Sequence, residues 1–544
     1  MERVVRRRLG FGGTLLATLF ACASLTPSLL PRAWVYQGLM CAVTGILGYA
    51  VGATLGALGR AVISYRLPER GRRIAWRMLA GGCLALTAAT LWYSFYWQRD
   101  LRTLMGIETR DTWFPPTILA VTITLFTLIL LVSRLVRLGG RRLNSWLGRF
   151  VPSYVGQTIG VLVIALLVAV FANDVLFSGF MARTNDWSSV TNKGTDPGVR
   201  RPVSTDLSGG PGSLVSWDSL GREGRRFTGT APTPTRIAAF SGRPAATPIR
   251  VYVGLDAASS PEAQAALAVR ELERTGAFDR PVLAVLGTTG TGWVDPHVTD
   301  SLEFMYNGDS AMVALQYSYL PSWVSFLVDR DKAAAAGRAL FEAVRARWAV
   351  LPAGDRPRLL LAGESLGSYE MEGAFHDLSD LAARADGALF IGPPNASPIW
   401  DELTYGRDPG SPVWRPVYQD GRTARFALRP ADLARPAGRP WPHPRVVYLQ
   451  NATDPVVWWS PELLYSRPAW LEGTRAPGVN PDMDWYPVVT FWQVLVDLTA
   501  ALSVPPGQGH RYGANVVDGW AAVAPPPGWS ADDTARLRTL IGSS

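Results

Sequence analysis

Four histidines and three cysteines are all that a chain of 544 residues offers to thiol, imidazole and metal chemistry. Cys22, Cys41 and Cys83 fall in apolar stretches near the N-terminus. The C-terminal two-thirds therefore has no thiol nucleophile and no disulfide framework. No His, Cys or carboxylate cluster has metal-ligand spacing. The glycines at 287, 290 and 292 read G-x-x-G-x-G, which is not the dinucleotide spacing, and no G-K-[ST] follows them. Neither a cofactor nor a bound nucleotide is expected. Basic charge is also missing where the formal +9 would suggest it. Residues 1–150 hold 19 Arg, no Lys and 5 Asp or Glu, a balance of +14, so the remainder carries −5. The basic excess belongs to the N-terminal part, and a nucleic-acid surface is not its natural explanation.

What that part does have is apolar length. Five stretches, at about 11–30, 35–58, 76–97, 115–135 and 155–180, are long enough to cross a bilayer. The first follows "MERVVRRR" as a signal peptide would, but "LTPSLLPR" is a poor cleavage site and four more spans follow, so an anchor is expected. Fifteen arginines lie before span one and in the connections 2–3 and 4–5, against four in the alternate connections. The positive-inside rule then puts the N-terminus in the cytoplasm of a cell with an inner membrane, and the chain beyond span five on the extracytoplasmic side. Asp174, near the end of span five, is close enough to the interface to be solvated. The spans otherwise lack charge, so no ion or proton path is visible and a transporter is disfavoured.

Residues 181–247 are rich in Gly, Pro, Ser, Thr and Arg and read as an irregular connector. From about 248 short apolar runs alternate with helical patterns. "IRVYVGL", "PVLAVLG", "AMVALQYSY", "PRLLLAGES", "GALFIGP" and "RVVYLQN" are the strands, and "WYPVVTFWQVLVDLTAALSV" is a long helix closing the series. Strands apolar on both faces and interleaved with helices predict a mostly parallel sheet in an α/β layer fold over 248–544. The 394–444 stretch is long for a connection and is expected to form a cap.

In "LLLAGESLGSYE" an apolar run stops at a serine held between glycines, Gly363-Glu364-Ser365-Leu366-Gly367. A strand that turns sharply into a helix would lift the Ser365 hydroxyl clear of the sheet, as in a nucleophile elbow. Serine needs a base and an acid to orient it, in the chain order Ser, Asp or Glu, His. His297 precedes the serine. His376 lies eleven residues beyond it on an expected helix, about 16 Å along the axis. His443 stands between prolines before a strand, at the wrong end of the sheet. His510, in the glycine-rich "PPGQGHRYG", is the expected base. Asp454, in "QNATDP" after a strand, is the expected acid, with Asp401 and Glu402 as fallbacks. The Leu366 N–H should be one oxyanion donor, and Thr288 or Thr289 should supply the other.

With "SLTPSLLPR" and "GESLGSYEMEGAF", the chain resembles the bacterial membrane-anchored α/β-hydrolase family, with a multi-span N-terminal domain before an α/β-hydrolase domain. The resemblance implies Ser365 as nucleophile, Asp454 as acid and His510 as base. It implies no substrate. Trp293, Trp400, Trp414, Trp441, Trp458, Trp459, Trp485 and Trp492 crowd the relevant stretches. Most of them are expected to be core and packing residues, yet so many around one site, with tethering at membrane lipids, suggest an apolar pocket for a lipid or cell-envelope acyl ester. The leading expectation is a serine ester hydrolase acting through an acyl-enzyme. An acyltransferase sharing that intermediate, or a non-catalytic scaffold, are the alternatives.

Overall fold

The computed structural model describes residues 9–62, 68–108, 115–147 and 187–543. It divides into two compact units, Met1–Ala182 with Trp459–Pro505, and Arg183–Trp458 with Pro506–Ser544. This differs from the division expected from sequence in two places. The 183–247 stretch belongs with the sheet, and residues 459–505 belong with the N-terminal helices.

In the second unit, seven strands form one parallel sheet. They are β1 (Ile249–Val253), β2 (Val282–Leu286), β3 (Ala311–Leu315), β4 (Arg358–Glu364), β5 (Gly387–Ile391), β6 (Ala424–Ala427) and β7 (Arg445–Leu449). Their spatial order is β1-β3-β2-β4-β5-β7-β6. Nearly every strand residue is buried, as a sheet covered on both faces requires. The covering helices pack as two groups. Pro261–Arg274, Arg330–Ala349 and Leu366–Glu372 form one, and Pro296–Met305, Asn515–Val523 and Ala531–Gly542 the other. Because all strands run the same way, their carboxyl ends share one edge. Ligand-binding loops of open α/β sheets gather there.

The 394–444 stretch is not simply a cap. It holds the helix Pro398–Tyr405 and then β6, the outermost strand, paired to β7. The "SYEMEGAFHDLSDLAARA" segment is two helices, Leu366–Glu372 and Leu378–Arg384, and His376 lies exposed between them. The supposed connector contributes helices Gly221–Gly229 and Pro234–Ser241, and Leu207 bridges to Arg250 beside β1. Arg250 is buried and ties these pieces together. It donates to Glu303 at 2.6 Å, to Asp300 at 2.9 Å and to the Phe227 carbonyl at 2.7 Å. Burial pushes Glu303 up to about 7 even with the guanidinium beside it. Arg250→Ala strands that carboxyl, and thermal denaturation should show a loss of about 3–5 kcal/mol.

In the first unit, Trp34–Val62, Glu69–Leu104 and Pro115–Val136 are long and apolar enough to cross a membrane. The first apolar stretch is a correction. Its helix, Phe11–Ala23, has only 13 residues, and the chain leaves helical form at Ser24. Pro27 and Pro31 explain why: neither has an N–H to continue a helix. The 155–180 stretch lies outside the described residues. "SLTPSLLPR" is instead a buried loop. Leu29 and Leu30 are fully inaccessible, and Arg32 meets Asp497 at 2.8 Å. Asp497 closes the helix Val489–Asp497, the core of the apolar stretch expected to complete the α/β domain.

Candidate active site

Four adjacent strands deliver the site. Ser365 follows β4 directly, with φ 55° and ψ −124°, a left-handed conformation that a β-carbon disfavours. The surroundings hold it there. Its N–H donates to the Ile391 carbonyl at 2.8 Å, at the end of β5. Ser368 Oγ donates to the Gly363 carbonyl at 2.6 Å and accepts the Ile391 N–H at 3.1 Å. A Cβ on Gly363 would sit 2.3 Å from Gly367, and one on Gly367 would sit 2.5 Å from the Gly287 carbonyl. Both glycines of the motif are therefore demanded by backbone contact across the elbow and onto the loop after β2.

Asp454 follows β7 and is fully buried. Its Oδ2 lies 2.6 Å from His510 Nδ1 and accepts the Tyr512 hydroxyl at 2.6 Å, while Oδ1 accepts the Val456 N–H at 2.8 Å. The loop carrying His510 is pinned to the same strand end. Asn451 Nδ2 donates to the Gly509 and Arg511 carbonyls at 2.9 and 3.2 Å, and Thr453 Oγ1 accepts the Gly509 N–H at 2.9 Å. His510 Nε2, the ring nitrogen away from Asp454, is buried without a hydrogen-bond partner. Ser365 and His510 converge on the turn after β5. Ser365 bonds to Ile391, and a Cβ on the next residue, Gly392, would lie 2.7 Å from His510 Cε1. No Ser365–His510 hydrogen bond is formed; such bonds commonly tighten only when substrate arrives.

The fallback acids are engaged elsewhere or exposed. Glu402 accepts from Leu378 N–H and the Tyr418 hydroxyl, and Asp401 is exposed. His297 pairs with Asp295 at 2.8 Å. The expected second oxyanion donors are corrected. The Thr288 N–H donates to Glu370 Oε2 at 2.7 Å and its hydroxyl to the Leu315 carbonyl at 2.9 Å. The Thr289 N–H donates to the Trp293 carbonyl at 2.9 Å. Neither amide is available to a substrate oxygen. The Leu366 N–H opens the elbow helix, where no intrahelical acceptor exists for it.

The aromatic pocket is also corrected. Trp400 and Trp458 are core residues, packed 6.1 Å apart. Trp441 lies over Arg425 and Arg445, at the amino end of β7. Trp459, Trp485 and Trp492 belong to the other unit. Trp293 alone of the group lines the small cavity beside the elbow, about 10 Å³, with Thr289, Asp295 and Glu364.

Sequence reasoning missed three polar residues. Tyr512, two positions after His510, shares the Asp454 carboxylate. Glu370 fixes the loop after β2. Glu364 is buried beside Asp295 and shares a hydrogen bond with it. Burial first, then the Asp295 charge, holds Glu364 well above the usual carboxylate range, while Asp295 is lowered by its bond to His297. Glu364 is therefore the member of the pair that keeps the proton. A raised native pKa gives stability fully present below the ordinary 4.5 and lost as pH rises towards the native value. Gln cannot ionise, so the stability of Glu364→Gln relative to wild type should climb as pH rises above the ordinary carboxylate value of 4.5 in denaturant titrations. A gap that stays flat with pH would show Glu364 to be ionised.

A seven-stranded parallel sheet, a serine at a strained strand–helix turn and an aspartate–histidine pair at the same edge define the α/β-hydrolase class. Comparison with family profiles agrees. Residues 249–537 match the "Alpha/beta-hydrolase family" profile and residues 25–232 match the "Alpha/beta-hydrolase family N-terminus" profile, so the chain belongs to this family. No curated protein and no solved structure matches it.

Proposed function

We propose that this protein is a membrane-anchored serine hydrolase that cleaves an acyl ester of a lipid or cell-envelope component. The observation that carries the reading is the Asp454–His510 contact at 2.6 Å, beside a serine with φ 55°. An ionised Asp454 keeps the imidazole proton on Nδ1, leaving Nε2 as the acceptor for the Ser365 proton. Ser365 Oγ attacks the ester carbonyl and the charge on the carbonyl oxygen meets the Leu366 N–H. His510 then protonates the departing alkoxide, leaving an acyl-Ser365. Water, deprotonated by the same imidazole, releases the acid and restores the serine. Tyr512 and Val456 hold the carboxylate so that its charge faces the ring.

The membrane length of three N-terminal helices supports an ester presented at a lipid surface. The arginines support an extracytoplasmic site. Arg60, Arg70, Arg72, Arg73 and Arg77, with the arginines of 134–142, fall at one end of the helices Trp34–Val62, Glu69–Leu104 and Pro115–Leu147, the cytoplasmic end by the positive-inside rule. The opposite end holds the Arg32 N–H bond to Gln98 at 2.9 Å and the Trp97 bond to Asp482 at 3.1 Å. Asp482 lies in the 459–505 segment, which continues in the chain into both halves of the site. An impermeant maleimide should therefore label an exposed Asp355→Cys in intact cells.

The reading is tested with p-nitrophenyl esters of graded acyl length on the full chain in detergent. Turnover that vanishes in Ser365→Ala supports it. Equal rates for both proteins, or no turnover of any ester by folded wild type, would sink it.

A further inference from the structure

The opposite edge of the sheet carries a second feature, unrelated to ester chemistry. A cavity of about 400 Å³ opens at the amino ends of β4, β5 and β7. Arg345, Arg358, Arg384, His443, Asp386 and Trp348 line it. His443, the histidine that sequence placed at the wrong end of the sheet for catalysis, is at this rim.

The cations here are short of counter-charge. Arg384 is paired, with Glu342 at 2.5 Å and Asp380 at 3.5 Å. Two other lining arginines, Arg345 and Arg358, and two that flank the cavity without lining it, Arg445 and Arg356, donate only to neutral oxygens. Arg345 bonds to the Arg384 carbonyl at 3.2 Å, and Arg358 to the Val523 carbonyl at 3.1 Å. Arg445 bonds to the Trp441 and Ala522 carbonyls at 2.7 and 3.0 Å, and Arg356 to the Leu351 and Ala349 carbonyls at 2.9 and 2.6 Å. The carboxylates that act on this group are Asp386, whose Oδ2 already accepts the Leu359 N–H at 2.7 Å, and Glu342, which is already paired with Arg384. Partial burial and mutual repulsion pull Arg345, Arg445 and His443 below their ordinary values. The cluster is thus unfavourable as it stands, and a bound anion would relieve it.

The guanidiniums are also held in place. Arg345 and Arg356 lie over Trp348, at 4.3 and 4.6 Å from its ring, and Arg445 lies over Trp441 at 5.0 Å. Stacking fixes the planes and leaves N–H edges for a ligand, the arrangement that suits tetrahedral oxyanions. The volume exceeds what a bare ion needs and lies in the range of small-molecule sites. Trp348, Ala382, Ala385 and Pro444 supply apolar wall beside the charges.

We propose that this cavity binds an anionic phosphate group, carried by a soluble phosphate ester or by a phospholipid head group. It lies at the far ends of the strands that carry Ser365 and Asp454, so its ligand is not the ester that those residues would cleave. The proposal stands whether or not the chain is an esterase.

The test uses the full chain in uncharged detergent, with Arg345→Gln and Arg345→Lys. Arg345 touches no residue of the candidate active site, and thermal denaturation of all three proteins checks folding independently of Ser365 reactivity. Calorimetric titration with inorganic pyrophosphate should show one saturable site, weakened about tenfold or more by Gln and less by Lys. In a second arm, native mass spectrometry counts phosphatidylglycerol bound to delipidated protein. Pyrophosphate binding that Gln abolishes assigns a soluble ligand. Gln-sensitive lipid retention without pyrophosphate binding assigns a head group. Binding of neither probe, or binding that Gln leaves unchanged, overturns the proposal.

Discussion

Replacing His510 with Ala, or Asp454 with Asn, should lower kcat for ester hydrolysis by about 10⁴-fold while leaving the fold intact. The two substitutions act on one device. Asp454→Asn keeps the volume, but its amide can present a donor to Nδ1, which turns the ring's acceptor away from Ser365. His510→Ala removes the acceptor altogether. Because both act through the same proton transfer, the double variant should be little worse than either single one. Additive losses would mean that the pair does not work as a unit. A KM that rises while kcat holds would assign these residues to binding rather than to chemistry.

The second large effect is expected far from the serine in sequence. Asp497 is fully buried and accepts from Ser28 Oγ, from the Leu29 N–H at 3.1 Å and from Arg32 Nε at 2.8 Å. Arg32 also reaches the Gln493 carbonyl at 3.1 Å. Gln493 returns its amide to the Thr26 carbonyl at 3.2 Å. Removing one member of a buried ion pair leaves the other uncompensated, a loss of about 3–5 kcal/mol. Asp497→Ala should therefore lower the melting temperature sharply, with Asp497→Asn intermediate. The same variant should reduce ester turnover. The segment Trp459–Pro505 is inserted in the chain between Asp454 and His510, and it folds with the N-terminal helices. Its ends are the two strands of chain that the site must hold together. Unchanged stability would show that the "SLTPSLLPR" loop does not depend on this pair.

That insertion marks the limit of what the sequence could show. An apolar helix such as Val489–Asp497 reads the same whether it packs on a sheet or on a helical bundle, because periodicity reports a buried face and not its partner. Six of the seven strands stand out as apolar runs. The seventh, β6, is four residues including Arg425, too short and too polar to be recognised. The prolines in 24–32 were visible, but apolar content outweighed them in the reading of a first span. The pairing of side chains near the serine was more legible than the architecture around it. With only four histidines, chain order and loop context sufficed to single out His510, which the structure pairs with Asp454. The second amide donor was not legible, because the partner of each loop N–H depends on loop geometry. Glu370 takes the Thr288 amide from five residues beyond the serine, and no spacing rule announces it. The tryptophans were ambiguous for a related reason. Their abundance was plain, while the direction each faces was not.

The most direct test of the catalytic reading is covalent. A fluorophosphonate probe should label the purified full chain, and peptide mass spectrometry should place the adduct on Ser365. Labelling should disappear in Ser365→Ala and fall steeply in His510→Ala. Folded wild-type protein that admits the probe and stays unlabelled, or that carries the adduct on another serine, would contradict the account.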